Sequence, residues 1–160
     1  MLESEGTGSD KRMDAVETVT AEGAVLALIV RGTINAPGVS FFTPNDYSQQ
    51  LAYMQHPAGR QIVPHVHKPV QRAVTRTLEV LFVRKGKLRA DFYTDARVYV
   101  ESRVLAGGDT ILLVAGGHGF EVLEAVEMFE VKQGPYAGDA DKERIAGVDA
   151  AAVRIAGGGA

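Results

Sequence analysis

The chain has 160 residues, a formal net charge of −3 and a hydrophobic content of 46%. That length and that hydrophobic fraction predict one domain with a core of ordinary size. Cysteine is absent, which excludes disulfides and thiolate metal ligands, and there is no basic stripe of the kind that binds nucleic acid. No apolar run is long enough to span a membrane, and residues 1–5 lack the layout of a signal peptide. We therefore predict a soluble, cytoplasmic protein with no membrane contact.

The two ends of the chain differ in composition from its middle. Residues 1–13 are polar and contain glycine, which predicts a disordered N-terminal tail. Residues 146–160 are rich in alanine and glycine, which predicts a flexible C-terminal tail. The folded domain is therefore expected over residues 14–145.

The middle of the chain carries mainly β signals. Ala24–Val30 is a continuous apolar run that predicts a buried strand, and glycines and prolines then mark turns between residues 31 and 44. Extended pieces are expected at 49–56 and 61–67. Six short strands separated by compact turns follow, at Glu79–Arg84, Leu88–Tyr93, Val98–Val104, Thr110–Val114, Phe120–Leu123 and Glu127–Gln133. Such spacing is typical of an all-β sandwich or barrel, and we predict a small jelly-roll barrel, a double-stranded β-helix.

Three of the four histidines stand in positions that suit a metal site. His65 and His67 are one residue apart, so in an extended strand both side chains point to the same face. Glu79 opens an apolar run and His118 follows a glycine turn. A carboxylate and imidazoles inside an apolar barrel are costly unless a cation compensates their desolvation. These four residues are therefore the predicted ligands of one divalent metal ion, Fe, Mn, Ni or Zn. The fourth histidine, His56, is interpreted as a loop residue.

The same residues resemble the two sequence motifs of the cupin superfamily. In the first motif Gly59 precedes His65-Val66-His67 by five residues, and Glu79 precedes Gly86 by six. The chain departs from the motif in one place, because eleven residues separate His67 from Glu79 where three or four are usual. The usual spacing would place the ligand at Gln71 or Arg72, so Gln71 remains an alternative to Glu79 as fourth ligand.

The second motif is matched more loosely. Counted from Gly107, His118 falls at the expected interval, but Leu113 stands in place of the usual proline and Val122 in place of the usual asparagine. The resemblance covers roughly residues 50 to 132 and points to an uncharacterised bacterial single-domain cupin.

The resemblance implies a function in outline. A site of three imidazoles and one carboxylate leaves two positions of an octahedron open for a small polar, sugar-like ligand. An enzyme is slightly favoured, either a metal-dependent isomerase or epimerase or an Fe(II)-dependent dioxygenase, and no catalytic residue is assigned. The alternatives are a non-catalytic small-molecule-binding cupin and a site in which the histidines act without metal, as in cupin-like sugar-nucleotide epimerases.

Two further expectations concern binding. Polar residues near the first motif are candidates for orienting the small-molecule ligand: Tyr53, Gln55, Arg60 and Gln61. Cupins of one domain commonly pair through their sheets, so the resemblance also implies a homodimer. The apolar strand Ala24–Val30 is the element expected to pair across that interface.

Overall fold

The computed structural model describes residues 14–157, and these residues form an almost entirely β structure. Two 3₁₀ helices at Gly138–Asp141 and Ala150–Ala152 are the helical elements named within that range. The strands are β1 (Val16–Ala21), β2 (Ala24–Val30), β3 (Gly38–Phe41), β4 (Ala52–Gln55), β5 (Glu79–Tyr93), β6 (Tyr99–Ala106), β7 (Thr110–Leu113) and β8 (Gly117–Lys132). The predicted all-β fold class is confirmed, with a strongly curled antiparallel sheet that forms half of a small barrel. The predicted disorder of residues 1–13 lies outside the described residues.

Six strands form the curled sheet and two form a separate hairpin. The order in the sheet is β1-β2-β7-β5-β6, with β8 on the other edge of β5. The first part of β5 lies between β7 and β8, and its last part lies between β6 and β8. The strands β3 and β4 pair only with each other. All of these strand pairs are antiparallel.

The longest feature of the sheet is the ribbon of β5 and β8. It runs from the Glu79–Lys132 pair to the Tyr93–Gly117 pair. The sequence predicts one strand on either side of a turn at Lys85–Lys87, and one on either side of a second turn at residues 124–126. In the structure each of these two pairs of predicted strands is a single continuous strand, β5 and β8. The reason is a set of three register shifts between Val83 and Leu88, which bend the ribbon without ending it.

The two faces of the sheet each carry an apolar cluster. The inner face of the half-barrel holds the main core, with Leu81, Leu88 and Phe92 from β5 packed against Ile29 and Ile111. The outer face holds a smaller cluster, in which Leu28, Leu78 and Leu112 are covered by Tyr47 and Leu51. We use the terms inner face and outer face for these two sides below.

The strand predicted at Ala24–Val30 is confirmed as β2, but it has no free edge with which to pair across a dimer interface. Its hydrogen-bonding edges are both occupied, by β1 on one side and β7 on the other. Residues 26–30 are also buried. A strand paired on both edges has no free backbone groups to offer a second chain.

The strand predicted at 61–67 is also not present. Residues 56–77 form no strand and are exposed throughout. The run Gln61–His67 lacks a neighbour on either edge, and an extended segment becomes a strand only when a partner satisfies its backbone groups.

The C-terminal segment, predicted as a flexible tail over 146–160, lies against β6 over much of its length. The backbone N–H of Ser102 donates to the carbonyl of Arg154, and the N–H of Ala156 donates to the carbonyl of Ser102. The hydroxyls of Tyr93 and Tyr99 accept hydrogen bonds from the backbone of Val148 and Arg154. Residues 146–157 therefore extend the folded unit, and residues 158–160 lie outside the described residues.

A glycine makes the bend of the ribbon possible. Gly86 has φ of 82°, and a Cβ atom at this position would overlap the carbonyl oxygen of Ala125 on β8. We expect Gly86→Ala to lower the free energy of unfolding by about 1–3 kcal/mol or more, because both the left-handed backbone and the close strand contact disfavour a side chain. Chemical denaturation followed by circular dichroism measures this change.

The matched control is Gly119→Ala on β8, where a Cβ atom would meet no atom within 4 Å. This variant should change the unfolding free energy by less than about 1 kcal/mol. Equal effects of the two substitutions would contradict the special role of Gly86.

An ion-pair network joins β1 and β6, the first and last strands in the order of the curled sheet. Glu17 on β1 accepts hydrogen bonds from Arg31 and from Arg103 on β6, each at 2.6 Å. Arg31 also donates to Asp109 in the turn between β6 and β7 at 2.9 Å. Burial acts to raise the pKa of Glu17, but the hydrogen bonds and charges of Arg31 and Arg103 outweigh it, so the pKa lies below 4.5. The network ties β1 to β6 although the two strands are not neighbours in the sheet.

Glu17 should make folding stability depend on pH. A carboxyl group with a lowered pKa in the folded state stabilises the fold above its unfolded pKa, and this contribution is lost as the pH falls through the folded value. We therefore expect Glu17→Gln to lower the unfolding free energy by about 1–3 kcal/mol at pH 7. The difference from the wild type should shrink as the pH falls below about 4.5, whereas Glu22→Gln in the exposed β1–β2 turn should show neither effect. Urea unfolding from pH 3 to 7 is the measurement, and a constant difference would contradict this account.

Candidate functional site

Two of the predicted metal ligands meet on the inner face of the half-barrel. Glu79 is the first residue of β5, and His118 is the second residue of β8, paired with Phe92. A straight ribbon would hold these two positions on the order of 40 Å apart, since a strand rises about 3.3 Å per residue. In the structure Glu79 Oε2 lies 3.1 Å from His118 Nε2. The curl of the ribbon therefore creates this contact.

Glu79 is a buried carboxylate with two cationic or polar partners. Besides His118, its Oε1 accepts a hydrogen bond from Lys132 Nζ at 3.3 Å. Lys132 is the cross-strand neighbour of Glu79 and also forms an ion pair with Glu130 at 2.8 Å. The hydrogen bond with His118 is the largest influence and, with Lys132, it overcomes the opposing effect of burial to lower the pKa of Glu79 to about 2. Glu79 is thus ionised at neutral pH and available as an oxygen ligand or hydrogen-bond acceptor.

Glu79 and His118 open into a cavity of about 790 Å³. Its floor is partly apolar, with Leu81, Phe120 and Met128, and its wall carries polar groups such as Thr94 and Asp95. The remainder of the lining comes from Thr77, Arg97, Gly116, Gly117, Glu130 and residues 141–145. A cavity that combines apolar surface with a few converging polar groups is the usual form of a small-molecule site.

Residues 141–145, which precede the C-terminal segment, contribute one side of this cavity. Glu143 forms an ion pair with Arg97 Nη2 at 2.6 Å, and Ile145 lies beside Gly117 and Tyr93. The sequence shows that residues 134–144 are unusual in composition but does not place them at a site. In the structure, residues 141–145 form part of the cavity lining.

The other two predicted ligands lie in the exposed segment 56–77. The rings of His65 and His67 are in edge contact, with centroids 5.2 Å apart, and His65 Nδ1 lies 2.9 Å from the carbonyl oxygen of Val63. Gln71, the alternative ligand, and His56 lie in the same exposed segment. Within residues 14–157 no group of three or more His, Asp or Glu side chains is placed to hold a metal ion. The structure therefore joins Glu79 with His118, and the complete four-ligand site stays a prediction.

The four residues predicted to bind the ligand do not line the cavity. Tyr53 and Gln55 are half-buried in β4, and Gln55 Oε1 is a buried oxygen without a hydrogen-bond partner. Arg60 and Gln61 lie in the exposed segment. None of the four is among the residues that surround Glu79 and His118 in the described part of the chain.

Sequence reasoning missed two charged residues at the site, Glu130 and Lys132. Both lie on β8 and share the inner face with Glu79, since Glu130 pairs with Leu81 and Lys132 with Glu79. The signal was the alternation of Glu130 and Lys132 with the apolar residues Phe129 and Val131. That alternation predicts a common face, but the pairing register is needed to place that face at Glu79.

Glu79 and His118 are suitable types of ligand for a divalent ion, but two ligands are too few to form a complete site. An ionised carboxylate oxygen and an imidazole nitrogen suit Fe(II), Mn(II), Ni(II) and Zn(II). Catalytic metal sites generally need three or more protein ligands, and Glu79 and His118 supply two. Lys132 also occupies one carboxylate oxygen of Glu79, so a metal ion would compete with an ammonium group for that position.

No protein-family model matches the chain, and searches of the curated proteins and of the solved structures found no match. Among residues 14–157, no helix has the length and apolar character needed to cross a bilayer.

Proposed function

We propose that this chain is a divalent-metal-binding protein that binds or transforms a small polar, sugar-like molecule in the half-barrel. The contact between Glu79 and His118 inside the cavity carries the proposal, because the fold brings these two predicted ligands together from opposite ends of a long ribbon. In this proposal His65 and His67 complete the ligand set. The resemblance of the two motifs to those of cupins supports the same set of four residues.

The free edge of β8 supplies a place for the missing histidines. Among the described residues β8 pairs only with β5, so its other edge carries unpaired backbone groups along 16 residues. Inner-face side chains on this strand are also partly uncovered, with Phe120 38% and Val122 58% exposed. An edge of this length and apolar character requires a cover in a stable protein.

The exposed segment of the same chain has the composition of that cover. Ile62, Val63 and Val66 are 62%, 77% and 89% exposed, which is costly for apolar side chains. Added to β8 beside Gly117–Leu123, an extended segment 61–67 would pair its backbone and place His65 and His67 on one face near His118. The eleven residues from 68 to 78 can span about 36 Å, so the link to β5 is long enough.

In the completed site each residue has a separate task. Glu79, His118, His65 and His67 would hold the metal ion, which would polarise an oxygen of the bound molecule. Lys132 and Glu130, which lie beside Glu79, would donate and accept hydrogen bonds at the ligand. Hydroxyl and carboxylate groups of Thr77, Thr94 and Asp95 on the wall suit a ligand rich in hydroxyl groups, and this is the observation that favours a sugar-like molecule.

Four outcomes separate the functions that this site would support. A metal-dependent isomerase or epimerase would alter a sugar derivative without consuming oxygen. An Fe(II)-dependent dioxygenase would consume oxygen when supplied with Fe(II) and a catechol or diketone. A non-catalytic binding protein would retain its ligand unchanged, and the alternative metal-free site would bind it equally well in the presence of a chelator.

Metal binding should raise thermal stability through the predicted ligands. A ligand that binds only the native state at 100 times its dissociation constant contributes about 2.7 kcal/mol, which corresponds to about 5–10 °C in Tm for a chain of this size. We expect this rise for the wild type with at least one of Fe(II), Mn(II), Ni(II) and Zn(II). His65→Ala and His118→Ala should lose most of it, as measured by differential scanning calorimetry after chelator treatment.

His56→Ala is the matched control, since His56 lies in the same exposed segment but outside the predicted ligand set. This variant should keep the full metal response. A wild type that responds to none of the four ions would refute the metal proposal, and an equal loss in His56→Ala would refute the assigned ligands.

Metal binding should also protect the exposed segment from proteolysis. Arg60 and Arg72 are exposed trypsin sites on either side of His65 and His67. If the metal holds segment 61–67 on β8, cleavage at Arg60, which adjoins the segment, should slow about tenfold or more, because cleavage there requires the segment to leave the sheet. Arg72 lies in the link to β5 and is the reference site. Mass spectrometry of timed digests follows each site.

His118→Ala supplies the control for this experiment, because it removes a ligand that lies outside the segment. Its cleavage rate should be the same with and without metal. Metal-bound wild type that is cut as fast as the metal-free protein would show that the segment does not dock.

A further inference from the structure

The exposed part of the cavity lining carries an arginine with an unusual backbone conformation. Arg97 lies in the turn between β5 and β6, and it lines the cavity together with Thr94 and Asp95 of the same turn. Its φ is 67°, in the left-handed region that residues other than glycine rarely adopt. Backbone of this kind is found preferentially at ligand-binding sites. The turn therefore presents a cationic side chain to the cavity at a position where glycine would suit the backbone better.

Hydrogen bonds hold this turn in one shape. The backbone N–H of Arg97 donates to the carbonyl of Thr94 at 2.9 Å, and the N–H of Thr94 donates to the carbonyl of Val98 at 2.9 Å. The hydroxyl of Thr94 accepts a further hydrogen bond from the N–H of Val98 at 3.3 Å. The guanidinium group of Arg97 is therefore attached to a fixed backbone, which lowers the entropy that is lost when it binds a ligand.

A carboxylate of the same chain pairs with Arg97 in this structure. Arg97 Nη2 donates to Glu143 Oε2 at 2.6 Å, and the two side chains are 58% and 70% exposed. An ion pair between side chains this exposed contributes little to stability, because water solvates both charges well. Another oxyanion can therefore replace Glu143 at Arg97 at little cost.

The cavity wall around Glu143 is anchored by contacts other than this ion pair. The side chains of Ile145 and Tyr93 both lie against Gly117. Three residues further along the chain, the backbone N–H of Val148 donates to the hydroxyl of Tyr93 at 2.9 Å. Because these contacts follow Glu143 closely in sequence, its carboxylate can leave Arg97 without displacing the wall.

The other charged pairs of the cavity do not involve the guanidinium group of Arg97. Asp95 accepts two hydrogen bonds from Arg76, at 2.9 and 3.1 Å. Deeper in the cavity, Glu79 and Glu130 both contact Lys132, at 3.3 and 2.8 Å. These carboxylates therefore have cationic partners of their own.

The neighbours of Glu143 add positive charge to the exposed part of the lining. Lys142 and Arg144 line the same cavity and are exposed, as is the carboxylate residue Asp141. An oxyanion that replaced Glu143 at Arg97 would share this part of the cavity with three cationic side chains and with Asp141. The cationic residues are in excess, which favours an anionic group of the ligand.

We infer that Arg97 determines the specificity of the cavity by binding a carboxylate or phosphate group of the ligand, a position that Glu143 occupies in the free protein. A guanidinium group can bind two oxygens of either anion at once. The side chain of Glu79 is 11% exposed and that of Arg97 is 58% exposed, so the anionic group lies at the opening and the remainder of the ligand lies deeper. The inference rests on the proposed function for that remainder, and it makes the ligand an acidic or phosphorylated sugar-like molecule.

Three related probes test the inference on the metal-free protein. Glucose 6-phosphate carries a phosphate, glucuronate carries a carboxylate, and glucose carries neither. In an NMR titration with chelator present, binding should shift the amide signals of Gly116 and Gly117, which line the cavity. At least one anionic probe should bind about tenfold or more tightly than glucose, because a charge-assisted hydrogen bond is stronger than a neutral one. The comparison of the two anions shows which group the site prefers.

Substitutions at the ion pair should act in opposite directions. Arg97→Gln should reduce the affinity for the anionic probe to about that for glucose. Glu143→Gln should increase it about threefold, because this change removes the competing carboxylate and keeps the shape of the side chain. Asp141→Asn is the matched control, since it removes a carboxylate from the same lining and leaves the ion pair of Arg97 and Glu143 intact. Its effect should be smaller than about 1.5-fold.

Several results would overturn the inference. These are the absence of anion binding, equal affinity for all three probes, and an Arg97→Gln variant that keeps the preference for the anion. If Glu143→Gln raised the affinity for glucose as much as that for the anion, Glu143 would cover the cavity rather than compete with the ligand. An equal effect of Asp141→Asn would reduce the result to general electrostatics. Melting curves of every variant establish that the fold is retained.

The outcome is separable from that of the metal proposal. The titration uses metal-free protein and a residue outside the predicted ligand set, so it does not depend on a bound ion. Anion binding that requires Arg97, in a protein whose Tm responds to none of the four metal ions, would refute the metal site alone. A normal metal response without selective anion binding would refute the role of Arg97 alone.

Discussion

A ribbon of two strands can enclose a site only if it bends, and in this chain the bend depends on one backbone position. Gly86 lets β5 and β8 remain paired through three register shifts, with the backbone of Ala125 closer than any side chain would allow. The curl brings Glu79 from one end of the ribbon to His118 at the other. The inner face becomes concave for the same reason, so the cavity and its polar groups both follow from this bend. The network of Glu17, Arg31 and Arg103 holds β1 to β6 at the edges of the sheet.

The charge arrangement around Glu79 limits what the site can bind. A desolvated carboxylate must be compensated, and here Lys132 and His118 both contact the carboxylate of Glu79. An incoming divalent cation would meet repulsion from Lys132 unless that ammonium group turned toward Glu130, its second partner. In the proposed metal site one cation would therefore replace another while Glu79 stays ionised. Such an exchange would let the same residues serve either a metal-bound ligand or a metal-free one.

The sequence predicted the fold class better than it predicted the site. Periodicity identified β2 and the strands after residue 79, because alternation and turn residues are local signals. Periodicity predicted two strands where β5 is continuous and two where β8 is continuous. At Gly86 the local composition of a bend is the same as that of a turn, so the sequence alone does not distinguish them. The motif at His65 and His67 predicted a strand, but a strand also needs a neighbour, which no local pattern supplies. The motif spacing singled out Glu79 and His118, which the structure places in contact, whereas Lys132 became visible only through its cross-strand pairing with Glu79.

The uncovered surfaces of β8 lead to one physical picture of the chain. Its inner face and free edge leave Phe120, Val122 and Met128 partly in water, and its outer face leaves Phe129 and Val131 there. Transfer of such apolar surface out of water is favourable whichever partner covers it. The free edge borders the cavity, and segment 61–67 is within reach of it, so docking of this segment would bring imidazoles to the carboxylate of Glu79. Such docking would cover the inner side of the strand and leave Phe129 and Val131 on its outer face unaffected, because alternate residues of a strand point to opposite faces.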